Sequence, residues 1–118
     1  MPKKKQSKAT PKAPRTFLSF AKKYPDIAEA YDAMGEAVRD AGPLTDREVA
    51  LTKLALSIGA KLEGATHAHC RRALALGIEP DALRQVAIVS SPTVGFPSMM
   101  AAYKWVDEII RPRGKGKR

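Results

Sequence analysis

An all-α fold is predicted by three features of the sequence. Apolar residues recur every three or four positions through most of residues 16–110, the spacing of one face of a helix. A proline in the first turn or a Thr-x-x-Glu box marks the start of three of these segments. The one run that resembles a strand, residues 86–89, is too short to anchor a sheet. We therefore expect a domain of about five to six helices.

Two helices are expected before Gly42 and Pro43. Thr16 is predicted to cap a short first helix that carries two phenylalanines and a leucine. Pro25 suits the first turn of the second helix, where a missing N–H group costs no hydrogen bond. The apolar stripe of this second helix consists of Ile27, Ala30, Tyr31, Met34 and Val38.

The two central helices have the clearest boundaries. Thr45 and Glu48 form a capping box, in which each side chain accepts a hydrogen bond from the other residue's backbone N–H, and a helix follows. Gly59 predicts a break after it. The next helix begins at Glu63 and ends at Gly77, since glycine readily takes the left-handed conformation needed just after a helix.

Two further helices complete the predicted domain. Pro80 starts the first of them, and a loop rich in serine, proline and glycine is expected between Ser90 and Pro97. The last helix ends before Arg111. Its apolar residues are Met99, Ala102, Tyr103, Val106, Ile109 and Ile110.

Length and composition limit the class of protein. The 118 residues suffice for one domain with one modest core. The single cysteine excludes a disulfide within the chain, so nothing indicates an oxidising compartment. No apolar run is long enough to span a membrane, and no apolar signal segment follows the lysine-rich start. We expect a cytoplasmic protein with no membrane partner.

The net charge of +9 comes from the ends of the chain. Residues 1–15 carry +6 and residues 111–118 carry +5, whereas residues 16–110 carry −2. These two end segments, the basic tails, are poor in apolar residues, so we expect them to be disordered and the helical domain to span residues 16–110. They either bind nucleic-acid phosphates without sequence preference or only keep the protein soluble, and the sequence leaves both open.

The most reactive side chains lie between Glu63 and Cys70. This segment contains both histidines, His67 and His69, and the only cysteine. Because a helix turns about 100° per residue, Glu63, His67 and Cys70 share one stripe. His69 lies on a second, apolar stripe that is predicted to face the core. The other members of that stripe are Leu62, Ala65, Ala73 and Leu76.

Each of these side chains also has a structural interpretation. The two imidazoles point in nearly opposite directions on a helix, so we expect no shared metal site. His69 is then either catalytic or a satisfied core residue. Glu63 and His67 are either functional or an ordinary surface pair one turn apart. Cys70 fits a small, half-buried apolar position.

The order and spacing of several motifs resemble the carboxymuconolactone decarboxylase family, which belongs to the alkylhydroperoxidase D-like superfamily. The resemblance covers about residues 25–110, and its most specific part is the helix of His69 followed by a glycine. The matching segments are Leu44-Thr-Asp-Arg-Glu48, Leu54-Ala-Leu-Ser57, Leu62-Glu63 with His69, Ala73 and Gly77, and Gly95-Phe-Pro97. The resemblance implies a helical domain that associates with itself, commonly as a homotrimer or homohexamer, with the site near subunit contacts.

One branch of this family carries C-x-x-C-x-x-x-H and has peroxiredoxin activity. Matching that motif to His69 places its cysteines at Leu62 and Ala65, and its proton-relay glutamate at Ala50. The chain is instead similar to members that lack the cysteine pair and keep an E-G-x-x-H-x-H segment. We therefore expect no dithiol peroxidase activity.

The decarboxylase branch uses no cofactor, and resemblance to it favours a lyase that performs acid–base chemistry on a small molecule. Since the pKa of an imidazole lies near working pH, His69 is the first candidate catalytic residue. Glu63 and His67 are further candidates, and no cofactor or metal is expected. No cation for an acidic substrate is evident on the His69 face, which leaves Arg84 or a neighbouring subunit as its source.

Two other functions stay open on the sequence alone. Leu62 and Ala65 stand at the positions that match the cysteines of the peroxidase branch, and this favours an oligomeric scaffold or a small-molecule binding protein with degenerate catalysis. A nucleic-acid-associated oligomer is the other, because several basic tails displayed together bind more tightly than one.

Overall fold

The structure is a computed structural model that describes residues 14–111. Within that range it contains seven helices and no strand, which confirms the predicted all-α fold. The helices are α1 (Arg15–Lys23), α2 (Pro25–Arg39), α3 (Asp46–Gly59), α4 (Glu63–Ala75), α5 (Pro80–Val89), α6 (Ser91–Val94) and α7 (Phe96–Ile110). Helix α6 has four residues and lies in the segment predicted to be a loop. The predicted disorder of the basic tails falls mainly on residues 1–13 and 112–118, which lie outside the described residues.

The hydrophobic core lies where α3, α4, α5 and α7 pack together. Each of these helices contributes two buried apolar residues: Leu54 and Ile58, Cys70 and Ala73, Leu83 and Ala87, and Ala102 and Val106. Ile78, in the connection after α4, is buried with them. Burial of each large apolar side chain stabilises the fold by roughly 1.5–3 kcal/mol, so this core fixes the position of α4 between its neighbours.

The predicted capping box at the start of α3 is present. The N–H of Glu48 donates to Thr45 Oγ1 at 3.1 Å, and the N–H of Thr45 donates to Glu48 Oε1 at 2.8 Å. Two backbone donors that have no partner within the helix are therefore satisfied. The carboxylates of Asp46 and Glu48 also lie in the first turn, where the helix dipole favours negative charge.

Helix α3 ends at Gly59, as predicted, but the left-handed residue of the turn is Lys61, with a φ of 61°. The N–H of Lys61 donates to the carbonyl of Ile58, and the N–H of Leu62 donates to the carbonyl of Ser57, both at 3.0 Å. This is a Schellman motif with lysine at the position that glycine usually holds. The turn sets the direction in which α4 begins.

Helix α4 ends in a second Schellman motif at Gly77, the residue predicted to stop it. The N–H of Gly77 donates to the carbonyl of Leu74 at 2.9 Å, and the N–H of Ile78 donates to the carbonyl of Ala73 at 3.1 Å. Gly77 has a φ of +89°, in the region that only glycine enters readily. The motif turns the chain so that Ile78 enters the core.

Helices α1 and α2 form a hairpin that adds little to the core. Thr16 does not cap α1, because the helix begins one residue earlier, at Arg15, after Pro14. Pro25 occupies the first turn of α2, as predicted. Ala28 is the one buried residue of the two helices, whereas the predicted apolar stripe of α2 is exposed. None of the described helices is both long and apolar enough to cross a membrane.

Candidate functional site on helix α4

The side of α4 that faces the core carries Thr66, Cys70 and Ala73. The predicted core-facing stripe is therefore only partly right for the single chain: Ala73 of that stripe is buried, but His69 is only half-buried, and Thr66 and Cys70 are the residues buried with Ala73. Leu62 and Leu76, which made the His69 stripe look apolar, lie at the two ends of α4 and are more than half exposed. Small residues occupy the buried side because α3 and α7 pack closely against it.

A hydroxyl pair joins the buried side of α4 to α3. Thr66 Oγ1 donates to Ser57 Oγ at 3.1 Å, and Ser57 Oγ donates to the carbonyl of Leu54 at 2.8 Å. Both side chains are buried, so leaving either hydroxyl without a partner would carry a desolvation cost. The pair fixes the rotation of α4 about its own axis, and with it the directions of both histidines.

Cys70 is not a reactive thiol in this arrangement. Its side chain is fully buried in the core, and burial raises its pKa to about 12, although the positive charge of Arg71 acts in the opposite direction. The thiolate is the nucleophilic form of cysteine, and it is essentially absent at neutral pH when the pKa is this high. Cys70 thus packs as a small apolar residue, one of the interpretations open from the sequence.

His69 lies in an open groove between α2 and the paired helices α3 and α4. The groove has a volume of about 790 Å³. Its apolar walls include Tyr31 and Met34 from α2 and Leu62 at the start of α4. Three basic side chains, Lys53, Arg39 and Arg72, and two acidic ones, Asp32 and Glu36, also line the groove. A half-buried imidazole therefore shares a concave surface with positive charge.

The groove favours the neutral form of His69. Its pKa is lowered below the ordinary value, first by burial of the ring and then by the positive charges of Arg72 and Lys53. A neutral imidazole is available to accept a proton at neutral pH. These cations were not predicted from the sequence: Lys53 comes from α3, and Arg72 lies about one turn after His69 along the same helix.

Arg84 does not supply positive charge to this groove. Its guanidinium donates to Asp81 at 2.9 Å and to Asp107 at 3.2 Å, and the two hydrogen bonds raise its pKa. Asp107 also pairs with Arg111 at 2.9 Å. The suggestion that Arg84 serves the His69 face is therefore wrong within the single chain, because this side chain is held by carboxylates on α5 and α7.

Glu63 and His67 lie together on a different side of α4, as predicted, but they have a third partner. His67 Nε2 and Oε1 of Glu108, on α7, lie within hydrogen-bond distance at 3.0 Å. One donor atom from each of Glu63, His67 and Glu108 lies within 4.8 Å of the other two. An imidazole and two carboxylates are groups that bind divalent metal ions. Glu108 was not predicted from the sequence because it lies 41 residues from His67 and no local pattern connects them.

The three candidate catalytic residues thus fall into two groups. His69 lies with Lys53 and Arg72 in the groove, whereas Glu63 and His67 lie with Glu108 at the contact between α4 and α7. The two histidines are two positions apart, which is a rotation of roughly 200° on a helix. The structure therefore keeps them in separate environments.

Comparison with known proteins agrees with the resemblance seen in the sequence. The Carboxymuconolactone decarboxylase family model matches residues 25–108, from the first residue of α2 to within two residues of the end of α7. Neither the curated proteins nor the solved structures gave a match. The matched range contains the capping box of α3, the whole of α4 and the Gly77 turn. The chain belongs to the carboxymuconolactone decarboxylase family.

Proposed function

We propose that this chain is a cofactor-free, decarboxylase-like enzyme that acts on a small anionic molecule in the groove around His69. The observation that carries this proposal is the half-buried imidazole whose pKa is lowered by burial and by two neighbouring cations. Lys53, Arg39 and Arg72 outnumber the two acidic side chains of the groove, Asp32 and Glu36, and this excess of positive charge favours a carboxylated substrate. Dithiol peroxidase chemistry is not part of the proposal, because Leu62 and Ala65 stand where it requires cysteines.

The cations and the imidazole have complementary roles in such a reaction. Lys53 and Arg72 bind the carboxylate and later stabilise the enolate that keeps the electron pair of the broken C–C bond when carbon dioxide leaves. A bound carboxylate also offsets the positive charges that act on His69. The imidazole then holds a proton more readily than in the free protein, and that proton is the one delivered to the enolate carbon.

Replacing His69 tests this proposal directly. The purified protein is assayed with a panel of small lactone acids and keto acids, following both loss of substrate absorbance and release of carbon dioxide. For an acid decarboxylated by the wild type, His69→Gln is expected to lower the rate by about 10²–10⁴, the usual contribution of a general acid or base. Its oligomeric mass should not change. Undiminished turnover in this variant contradicts the proposal.

The cations are tested with a matched control. Lys53→Gln and Arg72→Gln each remove one positive charge from the groove, whereas Lys104→Gln removes one from an exposed position on α7. We expect KM for a carboxylated substrate to rise in the first two variants and to stay unchanged in the third. Equal effects in all three would indicate long-range charge attraction and not a binding site.

A small-molecule binding protein without catalysis is the second candidate function. The groove is open and apolar where peroxidase relatives carry their dithiol, which suits binding as well as turnover. Calorimetry that finds a saturable carboxylated ligand, together with no turnover, would favour this function. The absence of any ligand would leave an oligomeric scaffold.

Self-association into a homotrimer or homohexamer is part of both candidate functions. It is supported by the exposed stripe of α2, where Ile27, Met34 and Val38 are each more than half exposed. Helix α2 has only one buried residue, Ala28. An exposed apolar stripe on such a helix is typical of a surface that another subunit covers. The groove lies beside this stripe, so a second subunit would close it from the solvent side.

A further inference from the structure

Glu63, His67 and Glu108 are arranged as three ligands around one point and form what we call the Glu–His–Glu cluster. Glu63 and His67 are four residues apart on α4 and therefore project from the same side, one turn from each other. Glu108 reaches them from α7, which packs against α4 through the core. Both helices that carry the cluster contribute buried residues to the core.

The spacing within the cluster suits a small metal ion. An ion that binds nitrogen and oxygen at about 2.0–2.2 Å separates adjacent ligand atoms by about 3 Å and opposite ones by about 4.2 Å. The distance from His67 Nε2 to Glu108 Oε1 is already 3.0 Å. All three donor atoms lie within 4.8 Å of one another, and Glu63 is exposed, so its side chain has room to rotate toward the other two.

The charge of the cluster also favours a cation. Two carboxylates approach each other at this point, and among residues 14–111 no lysine or arginine nitrogen lies within 4.0 Å of either one. The other paired carboxylates on α5 and α7, Asp81 and Asp107, both have an arginine partner. Two negative charges at this separation repel each other, and a divalent cation between them converts that repulsion into attraction.

We propose that the Glu–His–Glu cluster binds a divalent first-row transition-metal ion. One imidazole and two carboxylates favour Zn²⁺, Mn²⁺ or a similar ion over Ca²⁺ and Mg²⁺, which prefer sites made only of oxygen ligands. Three protein ligands leave coordination positions for water or a small anion on the exposed side of Glu63. The site uses none of the groove residues and stands independently of the function proposed for His69.

The proposed metal site differs from the site shared by His67 and His69 that the sequence excludes. The two histidines diverge around α4, and that geometry still excludes a metal shared between them. The ion of the Glu–His–Glu cluster instead uses His67 with two glutamates, one of which is recognisable as a neighbour only in the folded chain.

Titration calorimetry of the full chain, first freed of metal by chelator and dialysis, tests the proposal with Zn²⁺ as the probe. We expect one saturable site per chain in the wild type. Glu63→Gln, His67→Gln and Glu108→Gln are each expected to weaken the affinity by at least tenfold, because even the loss of a residue that only supports a ligand costs about 10–100-fold. The visible absorption of bound Co²⁺ should change in the same variants.

Two control variants keep the experiment specific. His69→Gln removes the only other histidine, and Glu29→Gln removes an exposed carboxylate from α2, so neither should change Zn²⁺ affinity. Glu63→Gln alters an exposed side chain, which makes it informative even if His67→Gln fails to fold. Unchanged affinity in Glu63→Gln and Glu108→Gln overturns the proposal. So does a wild-type chain that binds Zn²⁺ no more tightly than His67→Gln.

Discussion

Replacing glycine by alanine is expected to have opposite effects at the two ends of α4. A Cβ placed on either Gly64 or Gly77 meets no atom within 4 Å, so steric clash contributes at neither position. Gly64 is helical, and alanine there should stabilise the fold by roughly 0.5–1 kcal/mol. At Gly77 the φ of +89° costs an L side chain about 1–2 kcal/mol. The reduced entropy of the unfolded chain offsets about 0.4–1 kcal/mol of that, so from the midpoints of the two ranges Gly77→Ala should destabilise by about 0.8 kcal/mol.

Urea unfolding of the two variants measures this difference. Far-UV circular dichroism follows the helices, and fluorescence of the single tryptophan, Trp105 on α7, follows the packing around it. All proteins are compared at one concentration, since self-association changes apparent stability. The free energies of unfolding should differ by about 1–2 kcal/mol between Gly64→Ala and Gly77→Ala, with the wild type between them. Shifts of the same sign would refute the assignment of Gly77 to a left-handed turn.

Four further predictions concern the charge of the groove, the pH dependence of stability, the oligomer and the basic tails. Lys53→Gln and Arg72→Gln should each raise the pKa of His69, measured by NMR titration of its ring. An unchanged pKa would mean that these two charges do not act on His69. The pKa of His69 is lower in the folded chain than in the unfolded chain, so the unfolded chain is protonated first as pH falls. The free energy of unfolding should therefore decrease as pH falls below about 6.5. Ile27→Asp and Met34→Asp should reduce the mass found by light scattering, whereas an unchanged mass would exclude the α2 stripe as an interface. Deleting both basic tails should abolish any salt-dependent DNA binding, and persistent binding would assign it to the helical domain.

The features predicted correctly from the sequence are those fixed by local hydrogen bonds. Thr45 and Glu48 satisfy each other within one turn, and the Gly77 turn uses carbonyls three and five residues earlier. Such contacts depend on spacing along the chain, which the sequence displays. The left-handed residue after α3 was missed because it is Lys61, and lysine carries no signal for that conformation.

The features missed are those decided by packing between helices. Periodicity places the residues around α4 but cannot tell which side meets a neighbour, and the buried side consists of Thr66, Cys70 and Ala73, small residues with weak apolar character that come from both predicted stripes. In the sequence, Leu62 and Leu76 made the His69 stripe look more apolar than the other side, although both residues lie at the ends of α4. Lys53 and Glu108 belong to other helices, so their approach to the two histidines is visible only after the core is assembled.

The two sites on α4 are expected to be separable by single substitutions. Each histidine shares its environment with a residue of a different neighbouring helix, Lys53 of α3 for His69 and Glu108 of α7 for His67. His67→Gln leaves His69 as the only histidine, so its ring signal is assigned without ambiguity, and its lowered pKa should persist. His69→Gln should likewise keep the Zn²⁺ affinity of the wild type. A pKa of His69 that returns to its ordinary value in His67→Gln would mean that α4 carries one composite site and not two.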